Sequence, residues 1–76
     1  MKELLVIIAK NLVDKPDEVE VTEDLRDGSK VLKLTVAPDD MGKVIGKQGR
    51  IAKEIRAIMK SAAIKKNLKI YVDIRD

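Results

Sequence analysis

The chain of 76 residues has no cysteine, histidine, tryptophan or phenylalanine, and its one aromatic residue is a tyrosine. Without cysteine it can form neither disulfides nor thiolate metal sites. Without histidine it lacks the commonest general base and metal ligand, so only carboxylate sites remain open. Ser29 and Ser61 therefore have no histidine to activate them as nucleophiles. We predict no enzymatic activity, no metal site and no cofactor.

Long hydrophobic runs are also missing. The apolar segment at residues 4–9 is far shorter than a membrane span and is bounded by charged residues. It also lacks the small-residue cleavage site of a signal peptide. The length allows one small core, so we predict a single soluble, cytoplasmic domain over residues 1–76.

The charge is distributed unevenly along the chain. The net charge is +3, but residues 1–40 hold six basic and ten acidic side chains. Residues 41–66 hold eight basic side chains against one acidic residue, Glu54. Such segregation favours an anionic partner. Taken alone, the charge is explained equally well by a solvated basic helix face.

Hydrophobic periodicity predicts six elements in the order αββααβ. We expect helices over 1–13, from Asp39 or Asp40 to Ile45, and over 50–63, with an aspartate capping the second helix. Strands are expected near 18–22, 32–36 and 68–74, with a hairpin turn over 24–30. Each strand is apolar on one face only. The predicted fold class is therefore α+β, with a three-stranded sheet and three helices packed on one face.

The stretch Val44-Ile45-Gly46-Lys47-Gln48-Gly49-Arg50-Ile51 lies between the second and third predicted helices. Gly46 should end one helix and Gly49 begin the next, because glycine allows positive φ and lets a ligand backbone approach. The amides of residues 49–51 should point outward and favour anions. Lys47, Gln48 and Arg50 would then reach phosphate and sugar oxygens. A simple helix-turn-helix corner is the alternative.

Neighbouring residues extend this candidate site. Lys43 and Lys53 lie about one helical turn either side of the loop and would lengthen the cationic track. We expect Ile45 to form the floor of a groove for bases, and Val44 to face the core. Tyr71 is expected on the open face of the sheet. A single tyrosine does not make the aromatic platform of RRM or OB domains.

With this element order, the stretch resembles the V-I-G-x-x-G-x-x-I signature of KH domains, although Ile51 comes one residue early. The order αββααβ is similar to the type II, prokaryotic arrangement, and the free-standing length resembles the small bacterial KhpA family. This resemblance implies a cytoplasmic protein that grips single-stranded RNA or single-stranded DNA with a GXXG loop. It further implies a role as an RNA chaperone or post-transcriptional regulator, in cell elongation and cell-wall homeostasis. It also implies a homodimer, or a heterodimer with a KhpB-like KH protein.

The third predicted helix carries more apolar surface than a helix on a sheet needs. Its apolar side covers about 140° of arc, whereas about 100° suffices for such packing. We place Ile51, Ile55 and Ile58 in the core, and we predict a dimer interface around Ile58, Met59 and Ala62. Alternatively, a small core simply needs every apolar residue. The second function hypothesis is therefore a protein-interaction module in which RNA binding is secondary.

Overall fold

The computed structural model describes residues 1–74, and the predicted domain extends beyond them by Arg75 and Asp76. The described part has the predicted order of helices and strands. Its elements are α1 (Lys2–Leu12), β1 (Glu20–Arg26), β2 (Ser29–Thr35), α2 (Met41–Ile45), α3 (Arg50–Lys65) and β3 (Ile70–Ile74). Short 3-10 turns at Pro16–Glu18, Pro38–Asp40 and Lys47–Gly49 connect them.

The three strands form one mixed sheet in the order β1-β2-β3. β1 and β2 pair antiparallel through a hairpin, and β2 and β3 pair parallel. A parallel pair needs a long crossover, and α2 and α3 provide it. Within the described residues β3 is thus an edge strand, next to the helix that precedes it.

The core lies on one side of the sheet, where the helices pack. Inward side chains of β1 and β2 meet apolar residues of all three helices, and the buried cluster is Leu5, Ala9, Val21, Leu32, Leu34, Val36, Val44, Ile55 and Met59. On the other face, Tyr71 is 65% exposed. The structure confirms the α+β fold with helices on one face, and it confirms that Val44 faces the core.

The hairpin turn is shorter than predicted. Only Asp27 and Gly28 form it, with φ values of 51° and 79°, and Arg26 already pairs with Ser29. The predicted turn over 24–30 is therefore wrong at both ends. Charged side chains of the two strands pair across the sheet here, as Lys30 Nζ and Glu23 Oε1 do at 3.2 Å.

The end of α3 directs the chain into β3. The helix continues to Lys65, two residues beyond the prediction. Asn67 then takes a positive φ of 56°, and the Leu68 amide donates to the Ala63 carbonyl at 2.9 Å. This is a Schellman ending, in which a left-handed residue satisfies the last free carbonyls of the helix.

The buried side of α3 differs from the predicted one. Its buried residues are Ala52, Ile55, Met59 and Ala63. Ile58, which we placed in the core, is 49% exposed. Met59, predicted at a dimer interface, is fully buried within this chain. Because the apolar arc is wider than the contact with the sheet, the sequence does not decide which part of it turns inward.

Candidate nucleic-acid interface

The glycine loop is a tight junction between α2 and α3, as predicted. Gly46 ends α2 with φ 75° and ψ 175°, and its amide donates to the Gly42 carbonyl at 2.8 Å. Gly49 precedes α3 with φ 74° and ψ 16°. Between them Gln48 has φ 57° and ψ 26°, a left-handed conformation that few residues other than glycine adopt. The loop is therefore a constrained turn.

Gly46 and Gly49 differ in the space that surrounds each Cα atom. A Cβ on Gly46 would lie 2.3 Å from Ile51 Cγ1, so Ile51 fills the space beside it. Around a Cβ on Gly49 nothing lies within 4 Å. The missing Cβ at Gly46 thus makes room for Ile51, whereas the space where a Cβ on Gly49 would stand is open.

Two of the three loop amides expected to be free are engaged within the chain. The Gly49 amide donates to the Gly46 carbonyl at 3.1 Å, and the Arg50 amide donates to the Lys47 carbonyl. They close the 3-10 turn that the sequence did not predict. The N-terminus of the 16-residue α3 still carries a partial positive charge. Contacts to an anion would therefore depend chiefly on the loop side chains.

The side chains around the loop form a basic surface. Lys47, Gln48, Arg50 and Lys53 are all exposed. Ile45 is 37% exposed at the end of α2, directly before the turn. An exposed isoleucine beside three cations offers an apolar contact next to charges that attract phosphate. These side chains therefore lie on one exposed surface around the loop.

Lys43 belongs to a different cluster. Its ammonium group bonds the Asp14 carboxylate and lies 3.5 Å from Asp40 Oδ1. The hydrogen bond with Asp14 raises the pKa of Lys43, and the attraction of both carboxylates outweighs the opposing effect of partial burial. Because two carboxylates bind this ammonium group, it is less available to an anion than the ammonium group of Lys47 in the loop.

Asp40 holds the start of α2 against the chain that follows α1. Asp40 is 1% exposed, and its carboxylate accepts hydrogen bonds from the amides of Asp14 at 3.2 Å and Lys15 at 3.0 Å. Burial alone would raise the pKa of this carboxyl, but the two amides and Lys43 lower it below the ordinary value. The carboxylate therefore remains ionised in the core.

The predicted capping role of this aspartate is wrong. Asp40 makes no capping hydrogen bond to α2 and binds the segment after α1 instead. Asp39 is exposed and pairs with Lys15 at 3.4 Å. Sequence reasoning could not separate the two adjacent aspartates, because the partners of Asp40 lie 25 and 26 residues away along the chain.

The family follows from comparison with known sequences. Residues 2–74 match the model of the KhpA/KhpB KH domain. The chain belongs to this family. Its fold is accordingly a type II KH fold, with a GXXG loop at Gly46–Gly49.

Similar proteins cover nearly the whole chain. A protein of Clostridium perfringens is 64% identical over 74 residues, which are 97% of this chain and 99% of the relative. Relatives from Clostridium acetobutylicum and Caldanaerobacter subterraneus are 61% and 55% identical over the same shares. All three bear the name RNA-binding protein KhpA. The family is non-enzymatic, in agreement with the sequence prediction.

Among residues 1–74, no helix combines the length and the apolar character that crossing a bilayer requires.

Proposed function

We propose that this chain binds single-stranded RNA through the loop at Gly46–Gly49. The observation that carries the proposal is the left-handed turn at Gln48 and Gly49, where nothing lies within 4 Å of a Cβ placed on Gly49. The exposed cations Lys47, Arg50 and Lys53 surround that opening. The names of the similar proteins support RNA as the ligand.

Each side chain has a distinct part in the proposed contact. Lys47 and Arg50 pair with phosphates, and Arg50 does so with a forked guanidinium group. Gln48 donates to phosphate or sugar oxygens. Ile45 supports a base, and Lys53 pairs with the next phosphate along α3. Gly46 shapes the turn, and Lys43 adds positive potential without a direct contact.

Such a contact predicts weak sequence selectivity. Phosphate and sugar contacts position a strand but do not read its bases. A GXXG loop holds about four nucleotides. Because most of the contacts are made to phosphates, the salt dependence should be steep relative to the affinity. This behaviour suits a cytoplasmic RNA chaperone or post-transcriptional regulator formed by a single domain over residues 1–76. A role in cell elongation and cell-wall homeostasis is the corresponding cellular proposal.

Reversing the loop charge tests the proposal. Lys47→Asp combined with Gln48→Asp should lower the affinity for a short oligouridine by at least about tenfold, because phosphate contacts become repulsive. The matched control is Lys10→Asp with Asn11→Asp, the same change of charge on the exposed side of α1. Fluorescence anisotropy gives the affinity, and thermal melting verifies the fold.

The control should bind like the parent chain. Loss of affinity with an unchanged melting temperature supports the loop as the RNA site. Equal affinity of the loop variant and the parent chain would disprove it.

A second candidate is a protein-interaction module, favoured by the exposed apolar side of α3. Ile58 is 49% exposed and Ala62 is half-buried beside it. We propose that this side pairs with a second copy or with a KhpB-like KH protein. Ile58→Glu should yield a monomer in sedimentation, whereas Ile7→Glu, at a 58% exposed site on α1, should not. A parent chain that is monomeric at every concentration would rule out the homodimer.

A further inference from the structure

Lys43 is a cation beside the glycine loop whose charge is already paired within the chain. It lies on α2, three residues before Gly46, which places it about 4.5 Å from that glycine along the helix axis. Among the described residues, it is the only basic side chain of the segment 41–66 that forms an ion pair with a carboxylate. Its side chain is nevertheless 43% exposed. A cation close to a strand bound at the loop is therefore occupied by the protein itself.

The two carboxylates that contact Lys43 differ in burial and in the strength of the contact. The Asp40 side chain is 2% exposed, and its Oδ1 lies 3.5 Å from Lys43 Nζ, at the limit of a hydrogen bond. This carboxylate already accepts two backbone amides. The Asp14 carboxylate is 76% exposed and bonds the ammonium group directly. Asp14 is therefore the main partner of Lys43.

The position of Asp14 is fixed through its backbone. Its amide donates to Asp40 Oδ1 at 3.2 Å, and the amide of Lys15 donates to Asp40 Oδ2 at 3.0 Å. Asp40 directly precedes α2, so these two bonds hold the segment after α1 beside the helix that carries Lys43. The ion pair thus joins two residues 29 positions apart because a buried carboxylate brings their segments together.

Lys43 can exchange this partner for another. An ion pair with an exposed carboxylate contributes little to stability, and salt weakens it further. Lysine has three N–H donors on a flexible four-carbon stem, so its ammonium group can turn toward a new acceptor without a change in the backbone. A phosphate of a strand at the loop is such an acceptor, and it competes with Asp14 for the same donors.

We propose that Asp14 is an internal competitor of RNA for Lys43 and thereby lowers the affinity of the loop. While the Asp14 carboxylate holds the ammonium group, Lys43 contributes positive potential but no direct contact. Without that carboxylate, the ammonium group pairs with a phosphate and adds one contact to those of Lys47 and Arg50. This inference rests on the proposed function of the loop.

Asp14→Asn tests the proposal. It keeps the size of the side chain and the amide hydrogen bond but removes the charge, so the affinity for a short oligouridine should rise by about fivefold. The matched control is Asp39→Asn, the same change at another exposed aspartate, which pairs with Lys15 at 3.4 Å. It should raise the affinity by less than about twofold, through long-range repulsion alone. Thermal melting verifies that both variants fold.

A double-mutant cycle separates the proposed competition from a general effect of charge. Lys43→Gln in the parent chain should lower the affinity by less than about twofold, because Lys43 makes no direct contact there. In the Asp14→Asn chain the same substitution should lower it by about fivefold, back to nearly the parent value. A gain from Asp14→Asn that persists in the Lys43→Gln chain would mean that Asp14 merely repels phosphate, and it would overturn the inference.

The salt dependence of binding counts the new contact independently. Each phosphate that is neutralised on a single strand steepens the slope of log affinity against log salt concentration by about 0.7. Asp14→Asn should steepen the slope by this amount, and Asp39→Asn should leave it unchanged.

The outcomes distinguish this inference from the proposed function of the loop. Oligouridine binding that requires Lys47 and Gln48, but has equal affinity in the parent and the Asp14→Asn chains, would overturn the competition while the loop site stands. Binding by neither chain would overturn the proposed function itself.

Discussion

The hairpin turn at Asp27–Gly28 and the second half of the glycine loop at Gln48–Gly49 have similar pairs of positive φ angles. In each, a non-glycine residue with φ near 50–60° precedes a glycine with φ near 75–80°: the values are 51° and 79° in the hairpin, and 57° and 74° in the loop. Neither Gly28 nor Gly49 has an atom within 4 Å of a Cβ position. Locally, the two turns are equally open to a ligand.

Their surroundings differ. The hairpin connects two strands whose charged residues pair across the sheet, as Lys33 and Asp24 do at 3.8 Å. The loop connects two helices and has Lys47, Arg50 and Lys53 around it. Gly46, the first glycine of the loop, also packs against Ile51. The open turn alone therefore does not make a nucleic-acid site. The helix junction and the surrounding cations distinguish the loop from the hairpin.

Among the substitutions that separate the loop from the hairpin, Gly46→Ala should cause the largest loss of folding stability. A Cβ would meet Ile51 Cγ1 at 2.3 Å, and the φ and ψ of Gly46 lie in a region open essentially to glycine alone. We expect a loss of about 3 kcal/mol or more in the free energy of unfolding, measured by urea denaturation. Gly49→Ala, with open space around it, should lose only about 1 kcal/mol. Equal losses would mean that Ile51 does not hold the loop.

Asp40→Asn should rank next in its effect on stability. The substitution removes the charge that accepts two amide hydrogen bonds and attracts Lys43. The melting temperature should fall clearly, whereas Asp39→Asn at the exposed neighbour should change it little.

Acidification gives an independent check on Asp40. Because folding lowers its pKa, the stabilisation by Asp40 is fully present above its ordinary value of 3.8 and is lost as the pH falls through the lower folded value. Asp40→Asn should therefore flatten the loss of stability below pH 4. An equally steep loss in that variant would contradict the assignment.

The smallest losses of stability are expected from Gly49→Ala and Gly28→Ala. These two variants make the same change in the loop and in the hairpin. Each adds one methyl group at a positive φ in open space, so both should lose about 1 kcal/mol of stability. Only Gly49→Ala should weaken RNA binding, by several-fold, since its methyl group stands where the RNA backbone approaches. Anisotropy titrations with the same oligouridine would show it. A similar loss for Gly28→Ala would remove the distinction between the turns.

The sequence predicted the element order and the loop because both depend on local patterns. The alternation at Leu32 and Leu34 indicates a strand, and the spacing of Gly46 and Gly49 indicates a turn, from a few consecutive residues alone. Features that depend on contacts remote in sequence were missed. The partners of Asp40 come from the segment after α1, and Lys43 is held by Asp14. The inward turn of Met59 and the exposure of Ile58 depend on how α3 lies on the sheet.

The amide NMR spectrum of the whole chain during titration with an oligouridine tetramer decides most directly between the two turns. The proposed contact predicts that the signals of residues 46–50 move together and saturate, while those of Asp27 and Gly28 remain in place. Shifts centred on the hairpin, or equal shifts at both turns, would contradict it.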